Sequence, residues 1–237
     1  MARARRQMRL TAAHVARVHR DVPDPGPQLY PGYRIATEQD YAEIVGDILA
    51  SRPPGPLWIF AYGSLIWRPE TAYVESRQAV ARGWHRRFCL GWDYRFRGSR
   101  ETPGLMLALD RGGQCRGMLY QLPEASVAAE LDKLLRREMT TVPSPFPWRW
   151  IDVVTSEGAL RAMTFAMNRK SGRYIAHLGE HQIAEVLATA VGFRGSMAEY
   201  LFSTVAKLEE LGIHDRNLWR LQALVAERID AAHPTET

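Results

Sequence analysis

The order of the elements predicted from the sequence indicates an α+β fold. Strand patterns occupy the middle of the chain, one helix is inserted among them, and further helices precede and follow them. This order is neither the strand–helix alternation of parallel α/β folds nor an all-β chain. The length of 237 residues, with 46% hydrophobic and 24% charged residues, fits one globular domain with appended segments.

The net charge of +5 comes from the start of the chain, where residues 1–20 carry six arginines and no acidic residue. Without this segment, the chain has 25 basic and 26 acidic side chains. We therefore predict a disordered, solvated basic arm over residues 1–20, whose deletion should leave folding and activity nearly intact. Weak binding of the arm to RNA or to an anionic surface is the alternative.

Several absences narrow the class of protein. No apolar run approaches the ~20 residues that cross a bilayer, and no secretory signal is apparent. The two cysteines form neither a disulfide framework nor a ligand cluster, and the histidines lack ligand spacing. We expect a cytoplasmic protein with no metal site and no nucleic-acid or membrane partner.

The segment before the core is predicted to contain a linker and one helix. Residues 21–32 include four prolines, which exclude a regular element. Thr37 is a candidate N-cap, and apolar residues at helical spacing predict an amphipathic helix over residues 38–50 that docks on the core. The core domain is then expected to begin at residue 57.

The first core strand leads directly into a candidate binding turn. Residues 57–60 form a short apolar run that prolines precede, which predicts a buried strand. The strand continues into Tyr62-Gly63-Ser64, and the missing Cβ of Gly63 lets a ligand approach the backbone N–H groups. Such a turn suits the carboxylate of a small substrate; an ordinary turn is the alternative.

The remaining core is predicted from strand and turn patterns. Strands are expected at residues 73–82, 84–90, 105–109, 115–122, 148–155 and 160–167. We expect hairpins across the turn at 111–114 and across 156–158. Residues 94–104 are predicted to be a mobile loop whose arginines, Arg95, Arg97 and Arg100, are mostly solvated. In the strand at 84–90, one of Arg86 and Arg87 should point inward, because side chains alternate.

One helix is predicted within the core and three at the end of the chain. The inserted helix begins at Pro123-Glu124 and ends near Met139. The first closing helix spans residues 180–191. The second begins with a capping box at Ser196 and ends at Gly212, and the third is capped by Asp215.

Glu138 lies at the C-terminal end of the inserted helix. The partial negative charge of a helix C-terminus and nearby apolar side chains such as Met139 should raise the pKa of its carboxyl group, which suits a general base. An ordinary surface glutamate is the alternative. The other acids of this helix, Glu124, Glu130 and Asp132, are expected on a solvated face.

Three motifs together resemble one known family. They are Phe60-Ala61-Tyr62-Gly63-Ser64-Leu65 within Trp58–Trp67, Arg137-Glu138-Met139, and Ala198-Glu199-Tyr200-Leu201-Phe202. They resemble the ChaC branch of the γ-glutamyl cyclotransferase superfamily over about residues 57–228. The resemblance implies a small, closed or nearly closed mixed β-barrel with surrounding and C-terminal helices. The sequence departs from the family at Ala61, where Gly is usual, and at Leu105, where Arg is common.

The resemblance also implies an activity and a set of site residues. The implied reaction cleaves glutathione to 5-oxoproline and Cys-Gly by intramolecular aminolysis, without metal or cofactor. Glu138 is the implied acid/base. The implied substrate-binding residues are Ala61, Tyr62, Gly63, Ser64, Leu65, Ile66, Arg87 and Tyr200. Because the family shares an Arg-Phe pair that matches Arg87-Phe88, we expect Arg87 rather than Arg86 to face inward.

Two other functions stay open. A cyclotransferase acting on other γ-glutamyl amines or amino acids is the nearer alternative. A non-catalytic sensor of γ-glutamyl compounds is the other.

The expected division is an arm, linker and docking helix over residues 1–56, a cyclotransferase domain over 57–230, and a tail over 231–237. The sequence does not indicate an oligomeric state.

Overall fold

The computed structural model describes residues 7–234 and contains both helices and strands. The helices are α1 (Ala12–Val18), α2 (Glu38–Ser51), α3 (Ser64–Trp67), α4 (Val127–Glu138, preceded by a 3-10 turn, Glu124–Ser126), α5 (Glu180–Thr189), α6 (Met197–Glu210) and α7 (Arg216–Ala232). The strands are β1 (Arg34–Ile35), β2 (Trp58–Ala61), β3 (Glu75–Asp93), β4 (Gly104–Gln121), β5 (Thr141–Val142), β6 (Trp148–Thr155), β7 (Gly158–Phe165), β8 (Val191–Gly192) and β9 (Gly195–Ser196).

The chain divides into two compact units. One comprises the residues up to Gly26, Gly91–Met106 and the residues from Ile175 onward, and therefore holds α1 and α5–α7. The other comprises Pro27–Leu90 and Leu107–Tyr174, and holds α2–α4 and most of the strands.

Five strands of the second unit form a closed barrel in the order β2-β4-β3-β6-β7. The barrel is mixed, because β2 pairs antiparallel with β4 and parallel with β7, where Ile59 is opposite Met163. All four residues of β2 are buried, which explains its unbroken apolar run. The predicted α+β fold with a small mixed barrel and surrounding helices is confirmed.

Apolar side chains from all five strands pack together inside the barrel. This core cluster consists of Trp58, Phe60, Tyr62, Ala79, Ala81, Leu109, Cys115, Leu119, Ile151, Val153, Ala162 and Ala166. At one point the packing admits only glycine, because a Cβ on Gly117 would lie 2.3 Å from the carbonyl oxygen of Ala61. The end of β2, where the candidate turn begins, is thus fixed tightly against β4.

The prediction for the two longest strands was wrong. Residues 104–121 form one continuous strand rather than a hairpin across residues 111–114, and β3 continues through Gly83. Strand β4 contains Gly112 and Gly113 with φ of 108° and 68°. A Gly-Gly pair between apolar runs is a hairpin signal, but here it lies inside the strand. The connection between β3 and β4 is the loop of residues 94–103.

This loop is held in place rather than solvated, in contrast to the prediction. The Asp93 carboxylate accepts hydrogen bonds from the backbone N–H groups of Arg95 (3.2 Å), Phe96 (3.1 Å) and Arg97 (2.6 Å). Arg97 is buried and pairs with Glu199, and Arg95 forms hydrogen bonds of 2.7 and 2.8 Å with Asp24. Of the three arginines, only Arg100 is exposed.

The predictions for α2 were confirmed. Thr37 caps the helix, and its N–H donates to the carboxylate of Asp40 (2.7 Å) in a capping box. Arg34, together with Thr37, holds the pKa of the Asp40 carboxyl below its usual range. The helix docks on α4, where the hydroxyl of Tyr41 donates to the carbonyl of Met139 (3.2 Å). The predicted β6–β7 hairpin and α4–α7 were also confirmed, with small shifts at their ends.

The predicted disordered arm is wrong for the part of it that the structure describes. Residues 12–18 form α1, which contacts α6 and α7. Leu10 is completely buried, and its N–H donates to the side chain of the buried Gln222 (2.8 Å). Arg17 forms an ion pair with Asp230. The predicted arm residues Arg3, Arg5 and Arg6 and the predicted tail residues 235–237 lie outside the described residues.

Candidate active site

The candidate turn follows β2 and forms the single helical turn α3. The carbonyls of Gly63 and Ser64 accept hydrogen bonds from Ile66 N–H (2.9 Å) and Arg68 N–H (2.8 Å). The side chains of Tyr62, Leu65 and Ile66 are buried, whereas Ser64 is partly exposed. Because the first N–H groups of a helical turn have no acceptor within it, this backbone can donate to an anion.

Neither departure from the family motif disturbs the turn. Among the described residues, Glu70 is the non-glycine residue with positive φ, at 56°. Ala61 therefore adopts a negative φ, where its methyl group costs little relative to Gly. Leu105 is completely buried and lies in the other unit, so it packs as an apolar residue.

Glu138 is the last residue of α4, and its side chain is 18% exposed. Met139 follows it, is buried, and donates its N–H to the carbonyl of Leu135 (2.7 Å). Burial raises the pKa of the Glu138 carboxyl group, Glu70 raises it further, and the guanidinium of Arg137 opposes both effects. The direction is the one expected from the sequence, and it makes the carboxylate a stronger base.

Arg137 connects this carboxylate to the candidate turn. Its Nε lies 3.0 Å from Oε1 of Glu138, and its Nη2 donates to the hydroxyl of Ser64 (3.1 Å). Its Nη1 donates to the carbonyl of Arg68 and lies 3.3 Å from Glu70 Oε2. The structure thus brings Ser64 and Glu138, two predicted site residues, to the same guanidinium.

Sequence reasoning missed the roles of Arg137 and Glu70. Arg137 appeared only as part of a motif, and no local signal in the sequence marks Glu70. The left-handed backbone conformation of Glu70, with a φ of 56°, costs roughly 1 kcal/mol in a non-glycine residue. Ion pairs with Arg68 (2.5 Å) and Arg137 (3.3 Å) hold it there. These contacts place a second carboxylate beside the one that is predicted to react.

The other acids of α4 lie outside this network. Glu130 is buried rather than solvated, a correction to the sequence prediction, and it accepts hydrogen bonds from Ala72 N–H (2.9 Å) and Lys133 (2.7 Å). Its role is structural. Asp132 pairs with Arg136 on the outside of the helix, and Glu124 is exposed, as predicted.

The expectation that Arg87 is the inward-facing arginine of β3 was wrong. Arg86 is the buried member of the pair, 4% exposed, and its Nη2 lies 3.2 Å from Cys115 Sγ in the barrel core. Arg87 is partly exposed. Tyr200 lies in the other unit, on α6, where it is buried beneath the guanidinium of Arg97 (5.8 Å to the ring centroid). Contact of Arg87 or Tyr200 with substrate stays a prediction.

Two further structural findings concern other classes of site. Within residues 7–234, no group of three or more His, Cys, Asp or Glu side chains is arranged to hold a metal ion. No helix in the described part of the chain is both long and apolar enough to span a membrane.

Comparison with known proteins identifies the family. The sequence model described as ChaC-like protein matches residues 57–228. The chain belongs to the ChaC-like family. A relative named glutathione-specific γ-glutamylcyclotransferase, from Escherichia coli K12, is 37% identical over 77% of this chain and 78% of its own length. A human relative named glutathione-specific γ-glutamylcyclotransferase 1 is 31% identical over 77% of this chain and 84% of its own.

The fold of this ChaC-like chain is also found in a solved structure. A yeast γ-glutamyl cyclotransferase described as specific to glutathione aligns with a TM-score of 0.66. The alignment covers 73% of this chain and 96% of the yeast chain at 19% sequence identity. At this level of identity, the likeness supports the shared barrel fold alone.

The position of Arg137 in this ChaC-like site gives a test of its role. We expect Arg137→Gln to lower kcat and to shift the acid limb of the pH profile of kcat/KM to higher pH. Arg137 lowers the pKa of Glu138, so removing its charge lets burial raise that pKa further. Steady-state kinetics between pH 5 and 9 measure both effects.

The neighbouring arginine on the same helix is the matched control. Arg136 pairs with Glu38 (2.5 Å) and Asp132 (2.7 Å), away from the turn. Arg136→Gln should leave the pH profile unchanged. An unshifted acid limb in Arg137→Gln, or an equal shift in both variants, would contradict the positioning role of Arg137.

Proposed function

We propose that the protein is a glutathione-specific γ-glutamylcyclotransferase that converts glutathione to 5-oxoproline and Cys-Gly. The observation that carries the proposal is the Arg137 bridge, 3.1 Å from Ser64 Oγ and 3.0 Å from the Glu138 carboxylate. It links the turn expected to hold a γ-glutamyl group to a carboxylate of raised pKa. Further support comes from the family and from relatives bearing this name.

The proposed chemistry is an intramolecular aminolysis, which makes the enzyme a lyase. The α-amine of the γ-glutamyl group attacks its own γ-carbonyl carbon. A C–N bond closes the five-membered ring of 5-oxoproline, and the original amide C–N bond breaks. Nucleophile and electrophile are parts of one molecule, so the enzyme has to fix the folded conformation of the substrate and move protons. Neither a metal nor a cofactor is required.

Glu138 performs both proton transfers in this scheme. At neutral pH the attacking amine is an ammonium ion and must lose a proton before it reacts. The Glu138 carboxylate accepts that proton, and the resulting acid then protonates the leaving nitrogen of Cys-Gly. The ring nitrogen loses a second proton to solvent after the attack, and the released amine of Cys-Gly takes up one, so the overall reaction leaves the number of bound protons unchanged. A raised pKa serves both steps, because it brings the carboxyl group closer to the working pH.

The substrate is held mainly by the turn. The backbone of residues 61–66 binds the α-carboxylate and α-amine of the γ-glutamyl group, while Arg87 and Tyr200 contact other parts of the substrate. The activity belongs to residues 57–230, with residues 1–56 and 231–237 appended. We place the reaction in the cytoplasm, which the two buried cysteines support, because neither forms a disulfide and reduced thiols persist in reducing compartments.

One assay tests the function. We expect the purified protein, treated with a chelator, to release equal amounts of 5-oxoproline and Cys-Gly from reduced glutathione. Turnover of free γ-glutamyl amino acids without turnover of glutathione would instead indicate the broader cyclotransferase. Binding of γ-glutamyl compounds without turnover of any of them would indicate a sensor. Mass spectrometry of the products distinguishes these results.

A further inference from the structure

Arginine side chains surround one tryptophan of the barrel. The guanidinium of Arg149 on β6 lies 5.5 Å from the ring centroid of Trp84, and that of Arg111 on β4 lies 5.7 Å from it. We call these three residues the basic cluster. Buried Arg86, whose Nη2 contacts Cys115 Sγ, lies on the same strand as Trp84.

Among residues 7–234, no carboxylate compensates the charge of Arg149. The Nε of Arg149 is buried and has no hydrogen-bond partner among the described residues. Burial, and then the charge of Arg111, lower the pKa of Arg149, and no acidic group of the described chain acts on it. Of the nearby acids, Asp110 is bound by Arg169 (2.7 Å) and Tyr174 (2.9 Å). Arg149 as a whole is partly exposed, but a partly desolvated guanidinium without a counter-charge is costly, and a bound anion would reduce that cost.

The strand register places Arg149 beside the end of β2. Arg149 is opposite Thr164 on β7, and the Thr164 hydroxyl donates to the carbonyl of Phe60 (2.8 Å). Phe60 is two residues before Tyr62, where the candidate turn begins. Arg149 is therefore level with the last residues of the strand that leads into the proposed substrate site.

The side chain of Arg149 is on the interior face of the barrel. Ile151 and Val153, two and four residues further along β6, both belong to the core cluster. Because side chains alternate along a strand, Arg149 shares their face. Trp84 also packs against the core cluster. Arg149 and Trp84 thus lie on the interior face of the barrel, level with the end of β2 from which the turn emerges, and Arg111 is an exposed residue beside them.

We propose that Arg149, supported by Arg111 and Trp84, binds the carboxylate at the far end of the γ-glutamyl substrate, the glycyl carboxylate in glutathione. The inference rests on the proposed function and extends it to substrate choice. An extended Cys-Gly unit reaches about 7 Å beyond the reacting γ-carbonyl, so one substrate could contact both the turn and the barrel interior. A planar guanidinium matches a carboxylate with two parallel hydrogen bonds.

The test compares glutathione with its glycine amide, which keeps the shape but lacks the terminal charge. In the wild-type protein, we expect kcat/KM for glutathione to exceed that for the amide by about 10–100-fold, mostly through KM. Arg149→Gln should reduce kcat/KM for glutathione by a similar factor and leave the amide nearly unaffected. Arg149→Lys, which keeps a charge, should retain part of the preference.

Arg161→Gln is the matched control. Arg161 lies on the adjacent strand β7, is 57% exposed and pairs with Asp152 (3.6 Å). This variant should keep the wild-type ratio between the two substrates, and thermal melts should show that all variants fold. If Arg149→Gln keeps the wild-type ratio, or loses activity equally on both substrates, Arg149 does not bind the terminal carboxylate.

The inference and the proposed function can fail separately. Turnover of glutathione by the wild-type protein tests the function, whereas the ratio between acid and amide tests the role of Arg149. If the wild-type protein turns over neither compound, calorimetric dissociation constants for both, measured on wild type and Arg149→Gln, give the same ratio. Equal affinities of the wild-type protein for the two compounds, or no binding of either, would overturn the inference.

Discussion

Glu138→Gln is expected to lower kcat by about 10²–10⁴-fold, the contribution that positioned general acids and bases typically make. Glutamine keeps the size of the side chain and its contact with Arg137, but it cannot accept the proton of the substrate ammonium. KM should change little, because the turn rather than Glu138 is proposed to hold the γ-glutamyl group. Single-turnover and steady-state kinetics on reduced glutathione measure the effect.

Asp132→Asn is the control for this variant. Asp132 lies on the same helix, 36% exposed, and pairs with Arg136. Its neutralisation should leave turnover within a factor of about two, because an exposed ion pair contributes ~1 kcal/mol or less. Glu130 would be a poor control, since its buried carboxylate binds the N–H of Ala72 and its loss would affect folding. Near-normal turnover of Glu138→Gln would exclude the proposed base.

The same substitution should stabilise the protein in a pH-dependent way. The pKa of Glu138 is raised in the folded state, so the folded chain binds this proton more tightly than the unfolded chain does. Its contribution to stability is therefore present at low pH and is lost as pH rises above the ordinary glutamate value towards the folded pKa. Glu138→Gln should match the wild-type melting temperature near pH 4 and exceed it at pH 8. A reversed trend would contradict the burial effect.

Local signals predicted most of the secondary structure. The Thr37 cap, the apolar spacing of α2 and α4, and the turn between β6 and β7 each involve residues close in sequence, and all were confirmed. The arrangement of the strands within the barrel could not be predicted from such local signals. Two glycines inside β4 indicated a turn, because the sequence does not show that the strand continues through them.

The assignment of the wrong arginine on β3 has a similar origin. Ala79 and Ala81 are buried at odd positions, whereas Arg86 and Phe88 are buried at even positions. The change occurs at Arg82 and Gly83, which are both exposed, and Gly83 has a φ of 79°. Such a local irregularity shifts the alternation by one residue, as in a β-bulge. Simple alternation from either end of the strand therefore cannot decide between Arg86 and Arg87.

The candidate site likewise combines motifs that the local sequence shows with contacts between residues that are far apart in sequence. Motif resemblance indicated the turn and Glu138, and in the structure Ser64 and Glu138 both contact the guanidinium of Arg137. The bridge joins residues 73 positions apart, and its contact with Arg68 joins residues 69 apart. No periodicity or spacing in the sequence reports such contacts. The uncompensated charge of Arg149 likewise depends on burial, which the sequence did not reveal.

Leu10→Ala is expected to destabilise the protein by about 2–5 kcal/mol, the usual range for a leucine removed from a packed interior. Leu10 is 0% exposed, and the helix that follows it contacts α6 and α7. Deleting residues 1–20 should lower stability through the same lost burial, contrary to the expectation for a solvated arm. Each kcal/mol should lower Tm by about 2–4 °C in a chain of this size.

Arg9→Gln provides the comparison that separates burial from charge. Arg9 is next to Leu10 and pairs with Glu227, but the two side chains are 53% and 48% exposed. Loss of this surface ion pair should cost ~1 kcal/mol or less. Melting curves of both variants and of the deletion distinguish the two effects. If Leu10→Ala melts like the wild type, or if Arg9→Gln is the more damaging change, the segment is held by surface charge rather than by the buried leucine.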